Sequence, residues 1–388
     1  MRSMRVFGDH DEPTRRQLQQ CVDAEDGARG VLCADGHLGY SMPIGGVVAY
    51  RDHVSPSGVG FDIGCGNKAV RTNLLYEQVH GDLPRIMDEV FSRISFGVGR
   101  SDGRAADHPV IEEIRQADFA PQRALATTAA KQLSTVGAGN HYVDLFRDET
   151  DRIWVGVHFG SRGFGHKTAT AFLELAGSKG DMMSPPAVFP LRSETGQAYL
   201  GAMELAGRYA YAGRDVVVAE VLDILGASAD LEVHNNHNLG WFEEHFGETF
   251  WVVRKGATPA FPGQLGFVGA TMGEPAVILE GLDSEVSKEA LYSTVHGAGR
   301  AMSRTQAAGK RRRGKVVKPG LIDFPTVRAE LAAQGVELRG GAADEAPRAY
   351  KRLAEVLSHH AGTVRILHEL RPIGVAMAGP DTFDPFED

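Results

Sequence analysis

Short apolar runs, each four or five residues long, recur along this chain: Val47–Tyr50, Lys68–Thr72, Ile153–Val157, Thr249–Val253, Ala276–Leu279 and Val364–Leu367. Runs of this length read as strands. Helical patterns sit between them. Val218, Val221, Leu222 and Leu225 recur at helical spacing and predict a helix over Arg214–Leu225. Lys167–Ala176, Leu200–Tyr211, Glu285–Ala307 and Ala346–His360 also read as helices. The mixture predicts an α+β or mixed α/β chain. No internal repeat or low-complexity tract divides it. Polar, glycine-rich motifs are spread from residue 35 to residue 379, and a site fed by the whole length predicts a single intertwined domain over residues 1–388. Ala308–Gly320 is the expected surface excursion.

Composition narrows the class. With 43% hydrophobic and 23% charged residues, the 388-residue chain can bury a large core. No run of 18 apolar residues exists and the N-terminus lacks an apolar leader, so neither a membrane span nor a signal peptide is expected. Three cysteines (Cys21, Cys33 and Cys65) make no disulfide framework, which favours a cytoplasmic location. The net charge of −9 argues against coating nucleic acid by bulk electrostatics. It still allows a local basic channel, because phosphate contacts are local. Lys310, Arg311, Arg312, Arg313, Lys315 and Lys318 are the candidates, with a solvated loop as the bland reading.

The 47 glycines fall in strings beside histidine, cysteine, aspartate or arginine, as expected where backbone turns sharply or approaches a ligand. Five such segments carry candidate metal ligands. They are Asp35-Gly36-His37, Asp62-Ile63-Gly64-Cys65, Asn140-His141, His158-Phe159-Gly160-Ser161-Arg162, and His234-Asn235-Asn236-His237-Asn238. One thiolate, one carboxylate and several imidazoles suit a transition metal of intermediate softness: Mn, Fe, Co or Zn. The paired cysteines of a structural zinc site are missing, so the dispersed set reads as catalytic.

A second constellation points to phosphate chemistry. In His296-Gly297-Ala298-Gly299-Arg300 an arginine follows a histidine by four residues, which on a helix would share its face. A neutral imidazole can attack phosphorus while a guanidinium neutralises the oxygens. A buried structural histidine fits the spacing equally well. Lys255, in Arg254-Lys255-Gly256-Ala257-Thr258, and the glycine-rich stretch 263–273 could hold a triphosphate, although the Walker order is absent.

Taken in order, DGHLGYSMPIGG, GVGFDIGCG, GAGNHY, HFGSRG, HNNHN, RKGAT, HGAGR and AYKRLAEV resemble the RtcB family of RNA ligases over about residues 35–379. The resemblance implies an α+β fold with a central metal-lined cleft. It implies two manganese ions bridged by Cys65, with His158 and His237 completing one site and Asp62 and His141 the other. His296 matches the histidine that takes GMP from GTP, Arg162 an arginine that handles the RNA 3′-phosphate, and Asp35 joins them as a catalytic residue. Asn140, Asn238 and Arg300 match positions near the phosphates, and Tyr350 one beside the guanine. Lys255, Thr271, Met272, Gly273, Gly297, Ala298 and Gly299 complete the expected nucleotide contacts. His234 receives no ligand role.

The implied reaction joins an RNA 3′-phosphate or 2′,3′-cyclic phosphate to a 5′-hydroxyl through a histidine–GMP intermediate, in RNA repair or tRNA splicing. The implied partners are RNA ends, GTP and an archease activator. Three positions depart from the family pattern, all around the base: Ala378 replaces a lysine, Asp144 a glutamate and Thr271 a serine. A metal-dependent phosphoesterase on RNA ends and an RNA-end-binding paralogue are the alternatives, and neither needs His296.

Overall fold

A computed structural model describes residues 4–101, 105–178, 181–312 and 315–379, without the side chains of 311–316. Its framework is an eight-stranded sheet. Seven strands run in the order Leu265–Val268, Ala276–Gly281, Val364–Met377, Tyr142–Arg147, Arg152–Phe159, Gly66–Leu75 and Ala229–Asn236, and Glu337–Arg339 pairs with Val364–Met377. A five-stranded sheet runs Met4–Val6, Arg29–His37, Ile44–Tyr50, Glu248–Lys255 and Asn238–His245. Strands and helices are thus mixed without a regular alternation, and the fold is α+β.

The six sequence-predicted strands all form, most of them longer than the apolar run that revealed them. Two helices merge. Leu200–Tyr211 and Arg214–Leu225 belong to one 32-residue helix, Glu194–Leu225. Ser193 caps its start by accepting from the Gly196 N–H, and left-handed Gly226 ends it. Gly213 does not break it; the missing side chain lets the helix lie against the Leu133 carbonyl. Tyr199, Met203, Ala206, Tyr209 and Val217 are buried along its length.

Two helix expectations fail. Glu285–Ala307 contains only the helices Glu285–Glu289 and Arg304–Ala308. Between them Leu291 and Tyr292 take positive φ, and Ser293–Val295 pairs with Ala257–Pro259 as a strand. Sheet pairing here overrides a helical pattern. In Ala346–His360 only Leu353–Ser358 is α-helical; the Pro347–Ala349 turn is 3₁₀ and Tyr350 is extended. The predicted excursion contains a hairpin, Gly309–Arg312 against Lys315–Pro319. Lys310 and Lys318 are exposed there, while Arg313 and the side chains of Arg311, Arg312 and Lys315 lie outside the described residues.

Candidate active site

Strand order explains why distant motifs meet. Tyr142–Arg147, Arg152–Phe159, Gly66–Leu75 and Ala229–Asn236 are antiparallel neighbours. The starts of two and the ends of the other two therefore lie at one rim of the sheet. His141 precedes the first, His158 is near the end of the second, Cys65 precedes the third, and His237 follows the fourth. The His237 N–H donates to the Cys65 carbonyl at 2.8 Å, fixing those two loops together.

The side chains converge without a gap. Cys65 Sγ lies 3.3 Å from His158 Nε2 and 3.7 Å from His141 Nε2. His158 Nε2 lies 3.3 Å from His237 Nε2, and His141 Nε2 lies 3.1 Å from Asp62 Oδ2. Two donor groups result, Cys65/His158/His237 and Asp62/Cys65/His141, sharing the sulfur. The carbonyl of Asn140 accepts from His158 Nδ1 at 2.9 Å, which leaves Nε2 as the free lone pair. Glycine is required beside them: a Cβ at Gly160 would sit 2.2 Å from Asp62 Oδ1.

Electrostatics fit a cation. Burial, reinforced by the charge of His141, pushes His158 down to about 3, and burial with His296 and His158 holds His237 well below its ordinary value. Both imidazoles are therefore neutral ligands at physiological pH. Burial would raise Asp62, but the hydrogen bond and charge of His141, together with Arg162 and Cys65, outweigh that and hold it low. Burial and the Asp62 charge push the Cys65 thiol up. A metal ion would have to displace that proton, as thiolate ligation does generally. His237 Nδ1 is buried without a protein partner. Soft sulfur, neutral nitrogens and one carboxylate form the donor set of a borderline divalent metal.

His296 lies next to this group, its ring centroid 4.9 Å from that of His237. It follows the strand Ser293–Val295 in a glycine loop, so the expected helical face shared with Arg300 does not exist. Asp35 orients it instead. Its Oδ2 accepts from the His296 backbone N–H at 3.0 Å and from Nδ1 at 2.6 Å, so Nδ1 carries the hydrogen and Nε2 is left as the nucleophilic lone pair. Asp35 is fully buried; burial would raise it, but His296 holds its carboxyl below the usual range. Gly299, at φ +73°, permits the close approach: a Cβ there would meet the Asp35 carbonyl at 2.2 Å.

Donor groups and His296 line one cleft of 1130 Å³. Asn140, Asp144, Arg162, Asn238, Lys255, Thr271, Met272, Gly297, Ala298, Gly299, Arg300 and Tyr350 also line it. Gly273 is not among the lining residues and packs against Leu331. Arg162 Nη1 reaches His141 Nδ1 at 3.2 Å. The Lys255 ammonium donates to the Tyr40 and Ser57 carbonyls, and burial pushes it down to about 8. Asn238 braces the loops, donating to the Asp62 carbonyl and accepting from the Gly256 N–H. Arg300 donates to the Tyr350 hydroxyl and the Asp344 carbonyl. Ala378 is buried outside the lining residues.

The sequence profile of the tRNA-splicing ligase RtcB family matches residues 17–120 and 111–378. The chain belongs to the RtcB family. The tRNA-splicing ligase RtcB of Archaeoglobus fulgidus is 33% identical, over 89% of this chain and 87% of that protein. The RNA-splicing ligase RtcB of Escherichia coli K12 is 32% identical over 87% of each chain. That of Mycobacterium tuberculosis is 32% identical, over 88% of this chain and 94% of its own.

Around this RtcB-family cleft, sequence reasoning missed four residues: Arg304, Asp344, Glu345 and Arg214. Arg304 ion-pairs with Asp344 and Glu345, and the Tyr350 hydroxyl donates to Glu345, so Glu345 lines the cleft beside Tyr350 with Asp344 behind it. Arg214, one arginine in a helical pattern, gave no local signal; its role appears only in three dimensions. His234 is explained by the same residue, because its Nε2 accepts from Arg214 Nε at 2.8 Å.

Proposed function

We propose that this chain is an RNA ligase that uses two manganese ions and GTP to join an RNA 3′-phosphate or 2′,3′-cyclic phosphate to a 5′-hydroxyl, in RNA repair or tRNA splicing. The observation that carries it is an imidazole oriented by a buried carboxylate, placed beside two donor groups that share one thiol. Neither an esterase nor an RNA-end-binding protein needs that imidazole.

Cys65, His158 and His237 would hold one ion, and Asp62, Cys65 and His141 the other. Bound there, divalent metal would supply Lewis-acid neutralisation of phosphate charge. The chain's own residues do the rest. His296 Nε2 attacks the α-phosphorus of GTP, an N–P bond forms, and pyrophosphate leaves. Asp35 holds the Nδ1 hydrogen and stabilises the charge that develops on the ring. The GMP then passes from nitrogen to an RNA 3′-phosphate oxygen, and His296 regains its lone pair. The 5′-hydroxyl attacks that activated phosphorus, GMP leaves, and a 3′–5′ linkage results. Hydrolysis opens a cyclic phosphate beforehand. Arg162, at the metal rim, suits the RNA phosphate as a planar, always charged donor. Asn140, Asn238 and Arg300 suit the nucleotide phosphates, with Asp144, Thr271 and Tyr350 around the base.

We take residues 1–388 as one catalytic domain acting in the cytoplasm, with an archease as its activator. Among the described residues no helix is long and apolar enough to cross a membrane. The test is sealing of a 3′-phosphate RNA to a 5′-hydroxyl RNA with Mn²⁺ and each of the four nucleoside triphosphates. Sealing with GTP supports the ligase; phosphate release without sealing by any nucleotide overturns it in favour of an esterase.

A further inference from the structure

Behind the donor groups lies a fully buried arginine, Arg214, on the long helix Glu194–Leu225. Among the described residues its guanidinium forms no ion pair with a carboxylate. It donates instead to four neutral acceptors: Nη1 to the Gly64 carbonyl at 2.9 Å and the Phe159 carbonyl at 2.6 Å, Nη2 to Asn236 Oδ1 at 2.5 Å, and Nε to His234 Nε2 at 2.8 Å. Tyr211 lies beneath the cation at 4.9 Å.

The acceptors are not random. Gly64 precedes Cys65, Phe159 follows His158, and Asn236 precedes His237. One rigid fork therefore holds two backbone carbonyls and one side-chain amide of the three segments carrying the shared thiol and both imidazoles of one donor group. We propose that Arg214 is the positioning residue of this centre, locking the Cys65, His158 and His237 loops in ligating register before any metal binds. A buried cation without a carboxylate is costly unless every N–H is used. Here the fork makes four such bonds, three of them to the ligand-bearing segments, and Tyr211, the thiol, Asp215 and Asp62 supply the surrounding negative charge. Lysine cannot replace it, since a point charge with a tetrahedral head reaches fewer of these acceptors. His234 completes the device: it must stay neutral to accept from Nε, and its lone pair is thereby removed from metal binding.

The proposal rests on the metal reading above, so its test has an arm that needs no metal. The variants are Arg214→Lys, His234→Leu, which removes one acceptor, and His234→Gln, which restores an oxygen there. Mn²⁺ affinity is measured by electron paramagnetic resonance on the full chain, and alkylation of Cys65 by iodoacetamide is followed by peptide mass mapping in metal-free protein. Arg214→Lys is expected to weaken Mn²⁺ binding by ~10–100-fold, the range for groups that orient metal ligands. It is also expected to speed Cys65 alkylation by about tenfold as the loop opens locally. His234→Leu should shift both in the same direction by a smaller factor, and His234→Gln should return them toward the parent. If Arg214→Lys does not fold, the two His234 variants carry the comparison. Unchanged Mn²⁺ affinity and alkylation in folded variants, with only the melting temperature lowered, would overturn the clamp. A parent chain that binds no Mn²⁺ would sink the metal reading, and the alkylation arm would still decide the clamp.

Discussion

The two ends of the cleft are built differently. At the metal end the donors belong to strand termini, and their polar atoms contact one another at 3.1–3.7 Å. Antiparallel order fixes the loops from outside and Arg214 fixes them from behind. At the end proposed for the nucleotide the walls are loops: residues 269–272, 297–300 and 344–350. Asp144 Oδ1, Thr271 Oγ1 and the Tyr142 hydroxyl are buried there without a protein partner. Each unpaired group costs about 1–3 kcal/mol. A ligand with a polar edge relieves that cost; the metal end has less to gain from a polar ligand and more from a cation. In the proposed ligase, one end sets whether chemistry occurs and the other which nucleotide enters.

The sharpest break lies at the junction. His296→Ala should abolish covalent GMP labelling and lower sealing by at least ~10⁴-fold, the scale for deleting a nucleophile, while Mn²⁺ binding measured on the same protein stays intact. Loss of both would mean that the two ends are not separable. Asp35→Asn is next. An amide can hold the wrong imidazole tautomer, so labelling should slow by ~10²–10⁴-fold, read as the single-turnover rate of GMP transfer.

A third prediction concerns the support under the junction. His360 is fully buried, stacks on Phe7, and its Nε2 accepts from the Ala34 N–H next to Asp35. Burial pushes it down to about 4. Unfolding frees it to its ordinary value near 6.5, so between those values the unfolded chain binds the extra proton. The stabilisation is complete above pH 6.5 and is lost as pH falls toward 4, with a size of roughly 3 kcal/mol. Urea unfolding as a function of pH checks it: His360→Leu should flatten that acid limb.

The smallest effect is expected at the base. Burial raises Asp144 well above its ordinary value against the opposing backbone hydrogen bond from Ala376, and so favours the neutral carboxyl. Asp144→Asn should leave GTP affinity within about threefold, whereas Asp144→Leu, which leaves a ligand donor unpaired, should weaken it by about tenfold. Mn²⁺ affinity should be the same in both, by titration calorimetry.

The same contrast governs what the sequence disclosed. Cys65, Asp62, His141, His158, His237 and His296 were legible because rare chemistry-bearing residues stood in glycine strings. All six strands were legible from their apolar runs. What failed were the segments 285–307 and 346–360, where side-chain spacing imitated a helix. There, pairing with Ala257–Pro259 and the turn at Pro347 imposed other backbones. Arg214 was invisible because its acceptors, Gly64, Phe159, Asn236 and His234, are assembled by strand order, which local periodicity does not encode. Lys255, which its motif offers to a triphosphate, lines the cleft with its ammonium held by two carbonyls.

The most direct test of the shared thiol is a crystal grown with Mn²⁺ and measured at the manganese absorption edge. Two anomalous peaks should appear, both bound by Cys65 Sγ, one with His158 and His237 and one with Asp62 and His141, with His296 facing the pair. A single peak, or peaks that leave Cys65 unligated, would contradict the account.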